Sequence, residues 1–462
     1  MKSKIREIHQ LLQSGQIRCT DLIQQKLSLL EKNNHQSVNF LLTELALKKA
    51  EAVDKKITNG EKIGLLEGIP FGVKDVFLVQ GYPATASSDF LKNYKSPYTA
   101  TAIQKLMDAG AIPIVKENCD SFGHGSTSEN TVFGSVKNAI DDTLVGGGSS
   151  GGSAVNVALD YTVFSIGGDT GGSIRQPAGY NKVVGLKPTY GRVSRYGIMA
   201  YASSTDCVGP IAQTIEDIEI VMNVMSGKDV HDQTTFDSPK IDTSKKLTKQ
   251  NLTIGYYKEF IETKGLETNI KTDFLNLIEQ LKAEGIKVEA LTLANSEVLV
   301  PTYYVSVMAE TASNLARLDG SMYGNRKEAT SLKDTYMLTR SENFTPETQR
   351  RIVGGNQVLS QGHADEIYNK ATAIRSQITQ SFTDDLSKVD LILSPVSPTS
   401  VPKIGDNLND PLAMYLSDIY TIGFSLAELP TLTVPKATKT GIQITANKLQ
   451  EELILQFANL LN

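Results

Sequence analysis

Short apolar runs alternate along the chain with longer stretches in which apolar residues recur at helical spacing. The runs predict buried strands at residues 74–79, 111–115, 161–166, 252–257, 288–291 and 389–393. The stretches between them predict helices at residues 99–110, 154–159, 215–225 and 270–284. Strands that alternate with helices favour an α/β fold in which one large mixed β-sheet is covered by helices on both faces.

The start of the chain differs from the rest. Residues 1–34 are rich in Lys, Glu and Gln with apolar residues at helical spacing, so they predict a pair of surface helices. We expect N-terminal helices over about residues 1–60 and a motif-bearing core over about 62–215. The polar stretch 230–250 is the most linker-like, but Leu252 resumes the same alternation, which favours a single domain over 1–462. No run approaches the length of a membrane span, and none resembles a signal peptide.

Net charge and cysteine content narrow the function classes. With 46 Lys and Arg against 51 Asp and Glu, the chain carries a net charge of −5, so it has no global basic character that would indicate nucleic-acid binding. Cys19, Cys119 and Cys207 are few and far apart, which suits a reducing cytoplasm better than a disulfide framework. The sequence has no Cys and His cluster of the metal-binding type, so we expect no metal and no cofactor in this chain.

Two loops rich in glycine and serine, at residues 146–153 and 168–177, flank the apolar run at 161–166. Consecutive backbone N–H groups in such loops form a concave site for negative charge, and a serine within one is a candidate nucleophile. A flexible linker is the plain alternative for a single loop of this kind. It fits this pair poorly, because apolar segments flank both loops and Asp169 and Arg175 interrupt the second.

Two familiar motifs overlap in the first loop, and neither is complete. The glycine pattern at 146–151 fits a dinucleotide-binding fingerprint, but the preceding residues 138–143 are polar rather than strand-forming. The same glycines place Ser149 in a nucleophile-elbow pattern, which requires a later histidine. Only His231 and His363 follow, and the sequence around them does not support that role.

Taken together, the two loops carry a resemblance to a known family. The segments GGSSGGS and GDTGGSIRQPA resemble the two signature segments of the amidase signature family. The resemblance implies a Ser–Ser–Lys triad in which Ser173 is the nucleophile, Ser149 the bridging serine and Lys74 the base. It also implies an oxyanion hole formed by the backbone N–H groups of Thr170, Gly171 and Gly172.

Lys74 lies inside the apolar strand predicted at residues 74–79, which is unusual for a lysine. The general alternative is a surface lysine whose stem packs on the protein while its amine reaches water. The functional interpretation is a desolvated amine with a lowered pKa that is able to act as a base. The spacing favours this second interpretation: 173 − 149 = 24 residues separate the serines, and 149 − 74 = 75 separate the lysine from the first serine, both of which suit the family.

Further segments resemble those family members that serve as glutaminase subunits of tRNA-dependent amidotransferases. They lie at residues 185–197, 202–206, 303–304, 313–317, 350–352 and 414–421. This resemblance implies that Arg351 binds the α-carboxylate of glutamine, that Asp418 binds its ammonium group and that Tyr304 lines the pocket. The alternatives are a solvated helix charge for Arg351, a turn or helix N-cap for Asp418 and an ordinary core position for Tyr304.

The chain departs from the pattern of those subunits at three places. Gly146 stands where a proline usually precedes the first loop, residues 119–122 read CDSF where MDEF is usual, and the C-terminal segment at 440–444 is shortened. The triad positions are unaffected. The departures therefore bear on the rim of the pocket and on the edge that would face a partner.

The resemblance implies a glutaminase that passes ammonia to a partner. The implied complex is a heterotrimer with B and C subunits, in which the partner subunit uses ATP and Mg2+ to amidate Glu-tRNA(Gln), Asp-tRNA(Asn) or both. The misacylated tRNA is expected to bind mainly through the partner, in the cytoplasm and without a membrane. Two other hypotheses stay open: a free-standing amidase acting on another small amide, and a catalytically silent scaffold subunit.

Overall fold

The computed structural model describes residues 2–245, 247–294, 296–406 and 410–461. Within them, eleven strands form one sheet, in the order β1-β3-β2-β4-β6-β5-β10-β11-β9-β7-β8. In chain order they are β1 (Val38–Leu41), β2 (Pro70–Lys74), β3 (Ile112–Glu117), β4 (Phe164–Asp169), β5 (Val184–Lys187), β6 (Cys207–Ala212), β7 (Thr253–Tyr257), β8 (Lys287–Leu291), β9 (Leu391–Pro395), β10 (Thr431–Val434) and β11 (Ile442–Thr445).

Sixteen α-helices accompany the sheet in the same described ranges. They are α1 (Lys4–Gln13), α2 (Cys19–Glu31), α3 (Thr43–Thr58), α4 (Thr101–Asp108), α5 (Gly151–Ala158), α6 (Arg175–Tyr180), α7 (Ile215–Met225), α8 (Lys258–Glu262), α9 (Thr268–Ala283), α10 (Leu299–Asn314), α11 (Leu332–Asn343), α12 (Pro346–Val358), α13 (Asn369–Asp385), α14 (Pro411–Ser417), α15 (Ile422–Leu426) and α16 (Glu451–Leu461). Among the described residues, no helix combines the length and the apolar character needed to cross a membrane.

The sheet is mixed. β2 pairs in parallel with β3 and β4, and β7 pairs in parallel with β8 and β9. The strands that link these two groups pair antiparallel. Every residue of β2, β3, β4 and β6 is buried, so both faces of the sheet are covered at these strands. The expected α/β fold with one large mixed sheet is confirmed.

Helix α7 begins and ends at the residues that the apolar periodicity predicts. The hydroxyl of Thr214 accepts a hydrogen bond from the backbone N–H of Asp217 at 3.1 Å and so caps the first turn. Glu216 and Asp217 place negative charge at the positive end of the helix dipole. The apolar face of the helix joins the main core through Ile215, Ile218, Val221, Met222 and Met225.

The strand expected at 74–79 is wrong in position. β2 ends at Lys74, where that strand was expected to begin. The chain turns immediately afterwards, and the N–H of Phe77 donates to the carbonyl of Lys74 at 3.0 Å. Residues 76–79 are buried without joining a strand, so their apolar character reflects burial in the core rather than pairing in the sheet.

Two other expectations are corrected by long-range pairing. β4 begins at Phe164 rather than at residue 161, and it continues through Gly167 and Gly168, which pair with β6 although they are not part of the apolar run. Residues 1–60 contain the expected helices but also β1, whose antiparallel pairing with β3 ties this region into the sheet. Pairing with a neighbouring strand, which local composition does not report, decides both features.

One sheet therefore collects strands from residue 38 to residue 445. The polar stretch at 230–250 connects α7 to β7, and strands from both sides of that stretch lie in the same sheet. These observations support our proposal that the chain is a single domain over residues 1–462.

Candidate active site

Lys74 and Ser149 lie side by side in the interior. Lys74 is the last residue of β2, and its Nζ donates to the Oγ of Ser149 at 2.7 Å and to the carbonyl of Gly168 at 3.3 Å. Both side chains are almost fully buried, with 2% of Lys74 and 1% of Ser149 exposed. The surface-lysine alternative is therefore wrong, because the amine lies in the core and not in water.

Burial disfavours the charged form of this lysine. Desolvation lowers the pKa of Lys74, although Cys119 and the carboxyl groups of Asp120, Asp169 and Asp206 act in the opposite direction. Burial also raises the pKa of Asp120 to about 7 and that of Asp206 to about 6. Desolvation of the amine outweighs these opposing groups, including the ionised carboxylate of Asp169.

Backbone contacts bring the two glycine and serine loops together. The N–H of Ser150 donates to the carbonyl of Ser173 at 3.0 Å, and the N–H of Asp120 donates to the carbonyl of Ser149 at 3.2 Å. A Cβ atom on Gly148 would lie 2.6 Å from the backbone nitrogen of Thr127, so only glycine fits at this close approach. Within the described residues no hydrogen bond joins the hydroxyls of Ser149 and Ser173.

A buried ion pair fixes the second loop. The guanidinium of Arg175 meets the carboxylate of Asp169 through Nη2 at 2.8 Å and Nε at 3.0 Å, and neither side chain is exposed. Although burial opposes ionisation, Arg175 lowers the pKa of Asp169 below its usual range. The same carboxylate accepts the N–H of Ile174 at 3.0 Å. Asp169, which precedes Ser173, is therefore bonded to Ile174 and Arg175, which follow Ser173, and these bonds fix the loop between them.

The tip of this loop presents backbone donors. In the described part of the chain, the N–H groups of Gly171, Gly172 and Ser173 donate to no protein acceptor, whereas the next N–H group is bonded to Asp169. The hydroxyl of Thr170 donates to Asp206 at 2.6 Å and anchors the start of the tip. This arrangement leaves adjacent donors able to hold an oxyanion.

Arg351 lies in the interior on α12, with 2% of its surface exposed. Its Nε donates to Glu347 at 2.8 Å, and its Nη1 donates to the hydroxyl of Tyr201. The guanidinium carbon lies 5.4 Å from the ring centroid of Tyr304 and 5.6 Å from that of Tyr415. The alternative of a solvated helix charge is wrong for this residue.

Asp418 follows the last residue of α14 and is also buried. Its Oδ2 accepts hydrogen bonds from Ser126 at 2.8 Å and from the hydroxyl of Tyr304 at 2.9 Å. Burial raises the pKa of Asp418 to about 6. Tyr304 belongs to the apolar core, as its alternative assignment expects, but its hydroxyl also bonds the carboxylate.

Tyrosines connect the buried side chains of Arg351 and Asp418 to the serines and the lysine. Tyr201, which bonds Arg351, lines a cavity of about 20 Å³ together with Lys74 and Ser149. A Cβ atom on Gly171 would lie 2.5 Å from Cζ of Tyr303, and Tyr303 packs edge-on against Tyr304 with centroids 5.1 Å apart. The structure thus brings all the expected residues into one contiguous region.

Several side chains of this region were not singled out from the sequence: Ser126, Tyr201, Glu347 and Tyr415. Glu347 could have been found, because it lies four residues before Arg351, the spacing at which side chains on a helix meet. Tyr201 carried no such signal, since 150 residues separate it from Arg351.

The two histidines that the nucleophile-elbow pattern would require lie away from Ser149. His231 and His363 are exposed, and neither contacts Ser149, so the nucleophile-elbow interpretation has no histidine to complete it.

Other candidate sites are separate from the Lys74 and Ser149 region. A cavity of about 630 Å³ is lined by residues of α7 and β10, and none of the residues of the Lys74 and Ser149 region lines it. Among the described residues, no group of three or more His, Cys, Asp and Glu side chains is arranged to hold a metal ion.

The family model and the most similar relatives that were compared agree on one family. A sequence model of the family described as Amidase matches residues 21–455. The chain is 41% identical to the A subunit of glutamyl-tRNA(Gln) amidotransferase from Trichodesmium erythraeum, over 99% of this chain and 96% of the relative. It is 42% identical to the protein of the same name from Acidobacterium capsulatum, over 96% of this chain and 95% of the relative.

A solved structure shares the fold. The crystal structure of the corresponding A subunit of glutamyl-tRNA(Gln) amidotransferase from Thermotoga maritima superposes with a TM-score of 0.72 at 36% identity. The match covers 86% of this chain and 83% of that chain.

Proposed function

This chain belongs to the amidase family, and we propose that it is the glutamine-hydrolysing subunit of a tRNA-dependent amidotransferase. One observation carries the choice of substrate. Arg351 and Asp418, two groups of opposite charge, are buried together around Tyr304. Tyr201, which bonds Arg351, connects them to the cavity of Lys74 and Ser149. Glutamine carries a carboxylate and an ammonium group on its α-carbon, so it requires this kind of charge pair beside the reacting amide. The nearly full-length similarity to the A subunits of amidotransferases supports the same proposal.

In the proposed mechanism, Ser173 is the nucleophile, Ser149 the bridge and Lys74 the base. The neutral amine of Lys74 takes the proton of Ser149, which takes the proton of Ser173 as Ser173 attacks the side-chain amide carbon of glutamine. The C–N bond then breaks, the departing nitrogen receives a proton from the same relay, and ammonia leaves. Water hydrolyses the resulting glutamyl ester on Ser173 and releases glutamate. The lowered pKa of Lys74 supports this role, because only the neutral amine accepts a proton.

Backbone N–H groups at the tip of the second loop stabilise the negative charge that develops on the amide oxygen in this mechanism. We assign this oxyanion hole to the backbone around Thr170, Gly171 and Gly172. Support comes from the N–H groups of Gly171 and Gly172, which are not used by other acceptors in the described residues. Loss of one such donor commonly costs about 3–4 kcal/mol of transition-state stabilisation.

Arg351 and Asp418 select the substrate in this proposal. The planar guanidinium of Arg351 suits a carboxylate, and the carboxylate of Asp418 suits an ammonium group. Tyr304 supports both, since its ring contacts the guanidinium and its hydroxyl bonds the carboxylate. A substrate without α-charges would gain nothing from this pocket.

The proposal includes partners for the ammonia. We assign the acceptor reaction to a B subunit that uses ATP and Mg2+ to amidate Glu-tRNA(Gln), Asp-tRNA(Asn) or both, within a heterotrimer that also contains a C subunit. The names and the nearly full-length similarity of the relatives support this assignment. The cytoplasm is the proposed location, which the three free thiols of Cys19, Cys119 and Cys207 support.

The experiment is a measurement of glutamate release by the purified chain and by the complex reconstituted with B and C subunits, ATP and misacylated tRNA. We expect slow hydrolysis by the isolated chain and a higher rate in the complex. The reason is that binding of the partner subunits and binding of glutamine are expected to be coupled, so that each favours the other. A complex that carries Ser173→Ala should not use glutamine, but it should still form amidated tRNA from added ammonium chloride.

Two results would contradict the proposal. An isolated chain that is fully active and indifferent to the partner would favour the free-standing amidase. A Ser173→Ala complex that fails to use ammonium chloride would mean that this chain does more than supply nitrogen.

A further inference from the structure

The guanidinium of Arg351 is already held by the protein on one edge. Glu347, one turn earlier on α12, accepts a hydrogen bond from Nε of Arg351 at 2.8 Å through its Oε1. The same oxygen accepts the hydroxyl of Tyr415 at 2.9 Å. Glu347 is itself buried, with 6% of its surface exposed. A buried carboxylate with two donors on one oxygen is a fixed reference point for the arginine.

The other edge of the guanidinium is only partly used. Nη1 of Arg351 donates to the hydroxyl of Tyr201. Nη2 donates no hydrogen bond within the described residues. Since a guanidinium has five N–H donors in one plane, occupation of Nε by Glu347 leaves the end that carries Nη1 and Nη2 for a ligand.

Building on the function proposed above, we propose that Glu347 is a positioning residue for glutamine recognition. It orients the guanidinium of Arg351 so that the Nη1 and Nη2 end meets the α-carboxylate of the substrate. Tyr201 fixes the same plane from the second side. Arginine has a long side chain with many rotamers. The rings of Tyr304 and Tyr415, which stack on each other with centroids 4.0 Å apart, lie near the guanidinium but accept no hydrogen bond from it in the described residues, so they do not set the direction of its donors.

The net charge around Arg351 shows that Glu347 does not simply neutralise the arginine. Glu347 also pairs with Arg350 through Oε2, and the side chain of Arg350 is 46% exposed. The group of Glu347, Arg350 and Arg351 therefore keeps one positive charge more than it has negative charges. A carboxylate ligand still meets a net attraction, while the direction of the donors is set by Glu347.

The test compares two substrates on the full-length chain by steady-state kinetics: L-glutamine, and propionamide, which has no α-charges. Glu347→Ala should raise KM for glutamine about tenfold or more while kcat/KM for propionamide changes by less than about twofold. Glu347→Gln should recover part of the loss, because its amide oxygen can still accept from Nε of Arg351. Arg350→Lys is the matched control, because it keeps the positive charge of the exposed partner of Glu347 and should leave both substrates nearly unchanged.

A second variant covers the case in which Glu347→Ala does not fold. Tyr201→Phe keeps the buried ring and removes only the hydroxyl on Nη1, so it should also raise KM for glutamine selectively. A lower KM for glutamine in Glu347→Ala would overturn the inference in favour of simple neutralisation. Equal losses on both substrates, or no change in Glu347→Gln and Tyr201→Phe, would overturn it in favour of a structural role. If the parent chain hydrolyses propionamide but not glutamine, the proposed function itself fails, and this role fails with it.

Discussion

The side-chain amine of Lys74 lies 2.7 Å from the hydroxyl of Ser149, although 75 residues separate them in the chain. Lys74 ends β2, whereas Ser149 lies in the loop that leads into α5. β2 pairs with β4, whose Gly168 carbonyl accepts from the same amine. Parallel pairing of β2 with β4 therefore places the end of β2 beside the two glycine and serine loops, which precede and follow β4 in the chain.

Lys74→Arg should reduce the turnover of any amide by about 10²–10⁴-fold, because the guanidinium does not release its proton at accessible pH. The parent should lose activity as the pH falls through the lowered pKa of Lys74, since protonation removes the base. The measurement is kcat as a function of pH for the parent, and kcat at one pH for the variant. Normal turnover in Lys74→Arg would return Lys74 to an electrostatic or structural role.

Ser173 rather than Ser149 should carry the covalent intermediate. An electrophilic glutamine analogue is expected to modify Ser173, because it lies beside unused backbone donors, whereas the hydroxyl of Ser149 accepts from Lys74. Peptide mass spectrometry locates the adduct. Ser173→Ala should remain unlabelled, and a label on Ser149 in that variant would reverse the assignment of the two serines.

Recognition of glutamine should depend on pH through Asp418. Its pKa is raised by burial to about 6, and only the ionised carboxylate attracts the ammonium group of the substrate. KM for glutamine should therefore rise as the pH falls below about 6, relative to KM for propionamide, which controls for the protonation of Lys74. Asp418→Asn should abolish this difference between the two substrates. If the pH profile of Asp418→Asn is the same as that of the parent, Asp418 does not bind the ammonium group of the substrate.

Gly171→Ala should damage both stability and activity. The new Cβ would lie 2.5 Å from Cζ of Tyr303, so the loop or the tyrosine must move, and such overpacking costs about 1–3 kcal/mol of the free energy of unfolding. Displacement of the oxyanion donors should lower kcat as well. Thermal melting and amide turnover measure the two effects. Gly64→Ala is the control, because its nearest neighbours are side-chain atoms of Glu67 at 3.8 Å, and it should leave both nearly unchanged.

Local patterns in the sequence predicted the elements whose cause is local. The bounds of α7 are confirmed because a threonine cap, acidic residues in the first turn and an apolar face act within a few residues of one another. The position of β2 was not predicted correctly, because residues 76–79 are as apolar as a strand and only pairing with β3 and β4 distinguishes them. A polar stretch such as 230–250 likewise reads as a linker until the sheet on both sides of it is seen to be continuous.

Apolar runs that alternate with stretches of helical spacing were enough to indicate the α/β class. Two glycine and serine segments and one spaced lysine were enough to identify the family, and they pointed to the chemistry of Lys74, Ser149 and Ser173. The three-dimensional arrangement was needed to show that Arg351 is a buried group oriented by Glu347 and Tyr201. It was also needed to show that Tyr304 and Ser126 share one oxygen of Asp418. The physical reason is distance along the chain: most of these contacts join residues more than 100 positions apart, and the topology of the sheet brings them together.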